Sequence, residues 1–215
     1  MFETIRLETP ADHRRVEEIT RAAFWNLHGP GCDEHYLAHI LRNHPDFISE
    51  LDYLIEVDGV VVGSIMYTRS TLVDEAGREE PVLTFGPVSV LPEYQGRGIG
   101  SRLISFTFQE ALKLGYPGNV IFGNPGHYVG LGFRSCARFG ISTPDHRFPT
   151  ALLVKELSPG ALENRKRVFR ESQAYGFESE AAAKFDAGFE SRAREVRPQH
   201  EEFYILSRST IRPEE

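Results

Sequence analysis

A mixed α/β (α+β) domain over residues 1–158, followed by a charged, aromatic-bearing helical extension over 159–215, is the fold class that the sequence predicts. Three observations carry this. Segments of strand periodicity outnumber those of helical periodicity, yet the helices interleave with the strands. The pair Asp58-Gly59 joins two apolar runs and is a strong hairpin signal. A glycine-rich stretch, residues 95–100, leads from the most strand-like run directly into a helical pattern.

Taken in order, residues 2–7 (FETIRL) alternate as a strand, and Thr9-Pro10 opens a helix with Val16, Ile19, Ala22 and Ala23 on one face, up to Phe24-Trp25. After the break Gly29-Pro30-Gly31, a second helix runs from Asp33 to near Pro45, with Leu37, Ile40 and Leu41 inward. Strands follow at 52–57 and 60–68, and the polar residues 74–80 make a turn. The run 82–91 is a strand interrupted by Gly86-Pro87, where it should splay from a neighbour, because proline cannot donate to a ladder and glycine marks bulges. A helix spans about 98–114, facing inward with Leu103, Ile104, Phe108, Ala111 and Leu112, and Gly115 stops it. Next come a strand at 119–122, a short helix at 124–131, and strands near 133–139 and 151–154. In the extension, helices are predicted at 161–172 and 178–194 and a last strand at 203–206. Its aromatic residues, among them Phe169, Phe185, Phe189, Phe203 and Tyr204, imply docking onto the domain or onto a partner.

The chain has 215 residues, 40% of them hydrophobic, and a net charge of −7. That length buries roughly 70% of the extended surface, so a true core is expected and overall disorder is excluded. No stretch approaches the ~20 apolar residues of a membrane span, and the start lacks a basic head followed by an apolar run. With only Cys32 and Cys136 as thiols, a soluble protein of the reducing cytoplasm is expected. Residues 1–80 carry 7 basic against 16 acidic side chains, whereas 81–154 carry 6 against 3. An acidic front beside a basic middle suits a cationic substrate meeting an anionic cofactor, and ordinary solvated charge explains it equally well. No basic stripe with interleaved aromatics appears, so nucleic acid is not a predicted partner, and without an apolar span neither is a membrane.

The chemistry concentrates at Gln95-Gly96-Arg97-Gly98-Ile99-Gly100-Ser101. Three alternating glycines permit backbone conformations that aim several N–H groups outward at a helix N-terminus, a ready cradle for a pyrophosphate. Arg97 and Arg102 add positive charge. A nucleotide P-loop needs a Lys after its last glycine, and the dinucleotide fingerprint needs a further glycine at 101 or 103; the sequence has neither.

The segment Gln95-Gly96-Arg97-Gly98-Ile99-Gly100 resembles the Gln/Arg-x-x-Gly-x-Gly/Ala signature of the GNAT superfamily of N-acetyltransferases. Tyr128-Val129-Gly130-Leu131-Gly132-Phe133 is similar to that family's Tyr-x-x-x-Gly-Phe segment, and the resemblance covers about residues 1–157. The run 123–128 looks like the Gly-Asp-Pro-x-Tyr-Tyr pattern of a predicted-acetyltransferase branch, from which Asn124 and His127 depart. The resemblance implies a mostly antiparallel sheet splayed at its fourth and fifth strands, helices on both faces, and acetyl-CoA as cosubstrate. It further implies that the backbone of Val88 and Val90 binds the pantetheine arm and that the amides of Gln95, Gly96, Arg97, Gly98, Ile99, Gly100 and Ser101 hold the pyrophosphate. Tyr128 would be the general acid that protonates the leaving thiolate, with a packed core tyrosine as the alternative. Asn124 either touches the cofactor arm or caps the following helix.

Many family members place a carboxylate on the fourth strand, but residues 81–91 hold no Asp, Glu or His. Deprotonating a Lys-type amine at pH 7 costs roughly 4.6 kcal/mol and an α-amino group roughly 1, so the omission favours a low-pKa amine. Glu34, His35 and His127 are candidates for the base or the acceptor wall, and Thr84 and Phe85 for acceptor contact. Cys32, His35 and His39 have metal-like spacing, but no second cysteine pair completes a site and no metal is assigned. The expected activity is acetyl transfer to a small cationic primary amine by direct attack in a ternary complex. A non-catalytic acetyl-CoA-binding module is the alternative, and the extension offers a possible homodimer surface.

Overall fold

A computed structural model describes residues 2–162 and 165–212. The chain begins with strand β1 (Glu3–Leu7), helices α1 (His13–Phe24) and α2 (Glu34–Leu41), and strands β2 (Tyr53–Val57), β3 (Val60–Asp74) and β4 (Glu79–Val90). Helix α3 (Ile99–Lys113), strand β5 (Gly118–Phe122), the single turn α4 (Pro125–Tyr128) and strands β6 (Arg134–Ser135), β7 (Ile141–Ser142) and β8 (Leu152–Glu156) follow. Strand β9 (Arg167–Arg170) and helices α5 (Ser179–Asp186) and α6 (Gln199–Arg208) complete it. These form two compact units, Met1–Tyr67 with Gly86–Thr107 and Gln173–Glu201, and Thr68–Phe85 with Phe108–Ser172 and Glu202–Glu215.

In the first unit β1, β2 and the start of β3 form an antiparallel sheet, with Ile5 opposite Ile55 and a bulge between Ile55 and Glu56. The hairpin turn Asp58-Gly59 has positive φ at both residues, +50° and +81°, the handedness that matches strand twist. Helix α1 starts where Pro10 fixes φ in a preceding 3₁₀ turn and Asp12 accepts from Thr9 N at 2.9 Å. Arg6 grips Asp12 through two hydrogen bonds and holds that carboxyl well below the usual carboxylate range. Helix α1 buries Val16 and Ile19, while Leu37, Ala38 and Leu41 of α2 pack with Met66 and Ala174.

The second unit takes the end of β3, which pairs antiparallel with β9, Leu72 opposite Phe169. Strand β4 meets β5 in parallel at Leu83↔Asn119, and β5 then pairs antiparallel with β8 over five residues. The brief parallel contact is the expected splay, and the Gly86-Pro87 interruption follows it directly. Leu72, Val82, Val120, Leu152, Val154 and Phe169 form the core of this unit.

Four segments differ from the sequence expectation. Of residues 161–172, expected helical, 163 and 164 lie outside the described residues, and 167–170 form strand β9, because Arg167, Phe169 and their neighbours alternate and pair with the edge of β3. The helix expected over 178–194 stops at Asp186, just before Gly188. Residues 203–206, expected as a strand, lie inside α6, with Phe203, Tyr204 and Ile205 exposed. The strand expected over 133–139 shrinks to β6 and a 3₁₀ turn over Cys136–Phe139 that ends at left-handed Gly140.

Candidate active site

In the first unit, β4 delivers Val88 and Val90 to the turn that opens α3. Gly96 and Gly98 adopt φ of +72° and +75°, a region that L side chains rarely enter. The helix ladder begins with Arg102 N donating to Gly98 O at 3.0 Å, so the preceding amides are those a helix leaves without an internal acceptor. Gln95 through Gly98 and Ser101 are exposed, whereas the Ile99 side chain is buried and pins the helix start. Gln95 donates its side-chain amide to Val90 O at 2.9 Å, tying the turn to the strand end. Arg102 donates to Arg97 O at 3.0 Å and forms a two-pronged ion pair with Glu3, its Nε at 2.8 Å from Oε2. The guanidinium of Arg97 lies 5.4 Å from the Tyr94 ring. The turn therefore combines amides that the helix leaves without an internal acceptor with the charge of Arg97, Arg102 being paired with Glu3, the elements an anion site uses.

In the second unit, Asn124 caps α4 by accepting from Gly126 N at 2.9 Å, one of the two roles left open for it. Tyr128 ends that turn. Its ring packs against Phe85 at 5.8 Å and Phe133 at 5.6 Å, and burial pushes its hydroxyl up to about 12. Only glycine fits at 123, since a Cβ there would lie 2.5 Å from Cε2 of Tyr128. His127 is exposed, edge-on to Tyr128 at 6.2 Å. Thr84 is buried and donates to Val120 O at 2.8 Å, while Phe85, on the other face of β4, supports Tyr128. Tyr128, Phe85 and His127 are thus brought together, and Thr84 is occupied within the sheet.

The remaining candidates lie in the first unit. Glu34 accepts from Asp33 N and contacts His28 Nδ1 at 3.0 Å. His35 is fully buried between Phe185 and Phe189, with Nε2 3.1 Å from Asp186 and Nδ1 3.5 Å from Cys32 Sγ. Burial lowers its pKa, and Asp186 opposes the shift in part. His39 bonds Glu17 at 2.9 Å. Sequence reasoning missed Asp186, which also accepts from the buried Arg21 at 2.6 Å and so docks α5 against α1 and α2. One acidic residue among several inside an expected helix carried no signal of this. Gly123 was missed too, although a glycine just ahead of Asn-Pro invites the question of what lies against it.

The second unit thus holds a mixed sheet in which β4 meets β5 in parallel, and the first a turn with left-handed Gly96 and Gly98 at the head of a helix. Comparison with known proteins narrows this. The acetyltransferase (GNAT) family profile matches residues 14–124. The uncharacterized N-acetyltransferase YjhQ of Escherichia coli K12 is 34% identical over 135 residues, 62% of this chain and 71% of that protein. The GNAT acetyltransferase YhbS of Escherichia coli, solved with CoA, superposes with a TM-score of 0.69 at 22% identity, over 80% of this chain and 91% of that one. A GNAT acetyltransferase of Brucella melitensis, solved with acetyl-CoA, gives 0.64 at 25% identity over 81% and 99%. The chain belongs to the GNAT family of acetyltransferases.

Proposed function

We propose that the protein transfers the acetyl group of acetyl-CoA to a primary amine by direct attack in a ternary complex. The observation that carries the reading is the exposed turn with left-handed Gly96 and Gly98 that opens α3. CoA and acetyl-CoA in the two solved relatives support it. In this reading the amides of 95–101 bind the pyrophosphate, and the backbone of Val88 and Val90 orients the pantetheine arm. Tyr128 donates its proton to the sulfur as the carbon–sulfur bond breaks. With a hydroxyl near 12 and a thiol near 8.5, complete transfer ahead of cleavage would be uphill by roughly 5 kcal/mol, so proton and bond must move together.

A small cationic amine is the first acceptor class to assay, given the net charge of −7. The acidic front half says less than its composition suggests, because Arg6, Arg42 and Arg102 take up Asp12, Glu56, Glu8, Glu17 and Glu3. The test is calorimetric titration of acetyl-CoA into the wild type and Gly98→Trp. A side chain at 98 must adopt φ of +75°, with its Cβ 3.0 Å from Arg102 Nη1. Saturable wild-type binding weakened at least about tenfold in the variant is expected, a loss of about 1.4 kcal/mol or more. Equal binding by the two proteins would refute the cradle.

A further inference from the structure

Helix α6 (Gln199–Arg208) has ten residues and buries none of them. Tyr204 and Ile205 stand 53% and 56% exposed, so the helix gains little by packing on the rest of the chain. A helix shorter than about 12–15 residues is marginal by itself in water, and helices in proteins draw most of their stability from a packed apolar face. The chain just beyond α6 is nonetheless fastened, with Thr150 N donating to Ser209 O at 2.9 Å and Ile211 N to Phe148 O at 2.7 Å. A short helix held at its end, with large apolar side chains in water, has the character of an interaction surface.

We propose that a second copy of the chain docks on this face, the two α6 helices pairing antiparallel about a two-fold axis between Tyr204 and Ile205. Gln199 and His200 mark the inner side of the helix, both contacting Asn26 O, and Leu206 is less exposed than Phe203, Tyr204 or Ile205. On the side turned away, Glu201, Tyr204, Ile205 and Arg208 follow one another at i, i+3, i+4 and i+7 and so form one stripe. The guanidinium of Arg208 lies over the Tyr204 ring at 3.9 Å, which fixes it on that stripe. The stripe thus has an apolar middle and opposite charges at its two ends.

Antiparallel pairing about that axis sets Glu201 of one copy level with Arg208 of the other, at both ends, while Tyr204 and Ile205 of both copies meet in one apolar layer. Parallel pairing sets like charge against like. Among the described residues neither Glu201 nor Arg208 belongs to an ion pair, so both charges are available to the other copy. The stripe is its own complement under a two-fold rotation, as the contact patch of a closed dimer has to be, and this selects a second copy over an unrelated partner. Ten residues make a helix about 15 Å long. Its pairing covers less than the roughly 1,600 Å² of a standard interface, so the dimer is a readily dissociating one, with a dissociation constant on the order of 10–100 μM.

The experiment is sedimentation velocity of the full chain from about 1 μM to about 1 mM, for wild type, Ile205→Glu, Glu201→Arg and Arg208→Glu. Wild type is expected to pass from monomer to dimer over this range. Ile205→Glu sets two carboxylates at the axis and should raise the dissociation constant at least about tenfold. Glu201→Arg leaves only cations on the stripe and Arg208→Glu only anions, so each variant alone should stay monomeric where wild type dimerises. Mixed in equal amounts, the two should recover the dimer, because every cation of one then faces an anion of the other. That recovery separates lost pairing from lost folding, since variants in which α6 had merely unravelled would not rescue each other. A wild type that stays monomeric throughout the range overturns the proposal. So does a dimer that all three variants retain, or a mixture no more dimeric than its parts.

Discussion

Tyr128 and Gly123 act as one feature. The ring occupies the space a Cβ at 123 would need, so Gly123→Ala must shift the tyrosine from its place beside Phe85 and Phe133. Both Gly123→Ala and Tyr128→Phe should lower kcat by at least about tenfold while acetyl-CoA affinity, read by calorimetry, stays within about twofold. A tyrosine acting only as packing would give a Tyr128→Phe enzyme of full rate. Tyr128 was legible because it sits in a recognisable local pattern with glycines at fixed offsets. The His35 environment was not, because Asp186 and Phe189 lie more than 150 positions away in sequence. The Gln95 side chain lay in between: its neighbours were readable, but its bond to Val90 O depends on how the turn folds back.

At the scale of elements, local punctuation succeeded and tertiary pairing was lost. Asp58-Gly59 fixed the hairpin, and the glycines of 96–100 placed the start of α3 within a residue. Strand β9 escaped because RVFR has no turn signals around it and becomes a strand only by filling the edge of β3. Helix α6 was read as a strand from Phe203-Tyr204-Ile205, yet acidic Glu201 and Glu202 in its first turn and Arg208 in its last suit a helix dipole. Beyond α5 the chain is tied to the segment after α1 by Trp25 Nε1 and Asn26 Nδ2 donating to Ala193 O, and by Glu195 N donating to Asn26 Oδ1. Helix α5 itself depends on Asp186. Asp186→Ala leaves the guanidinium of Arg21 buried without its carboxylate, a change that typically costs about 3 kcal/mol or more. Denaturant titration should show that loss. A variant within about 0.5 kcal/mol of wild type would mean that α5 is not anchored there.

For the molecule as a whole, buried carboxyls set the response to pH. Burial and the neighbouring Glu8 push Asp52 up, so the folded protein carries a proton there that the unfolded chain, with a carboxyl near 3.9, releases. Its contribution is complete at acid pH and is lost as pH rises. Glu171, at about 7 in the fold, acts in the same direction between roughly pH 4 and 7. Asp12 acts oppositely: the Arg6 pairing stabilises the fold above about pH 4, and that support fades as pH falls. The melting temperature should therefore peak in mildly acidic solution and decline through neutrality, and Asp52→Asn should flatten part of the decline. A profile that rises from about pH 5 to 8 would contradict this assignment of protons.

The path of the chain has a consequence for inheritance. Each unit is assembled from three separate stretches, and the residues after 158 serve both, β9 lining β3 while α5 clasps α1 through Asp186. Such an extension cannot be acquired or shed by recombination as a free-standing cassette. A hybrid joined near 158 would inherit one side of each contact without the other.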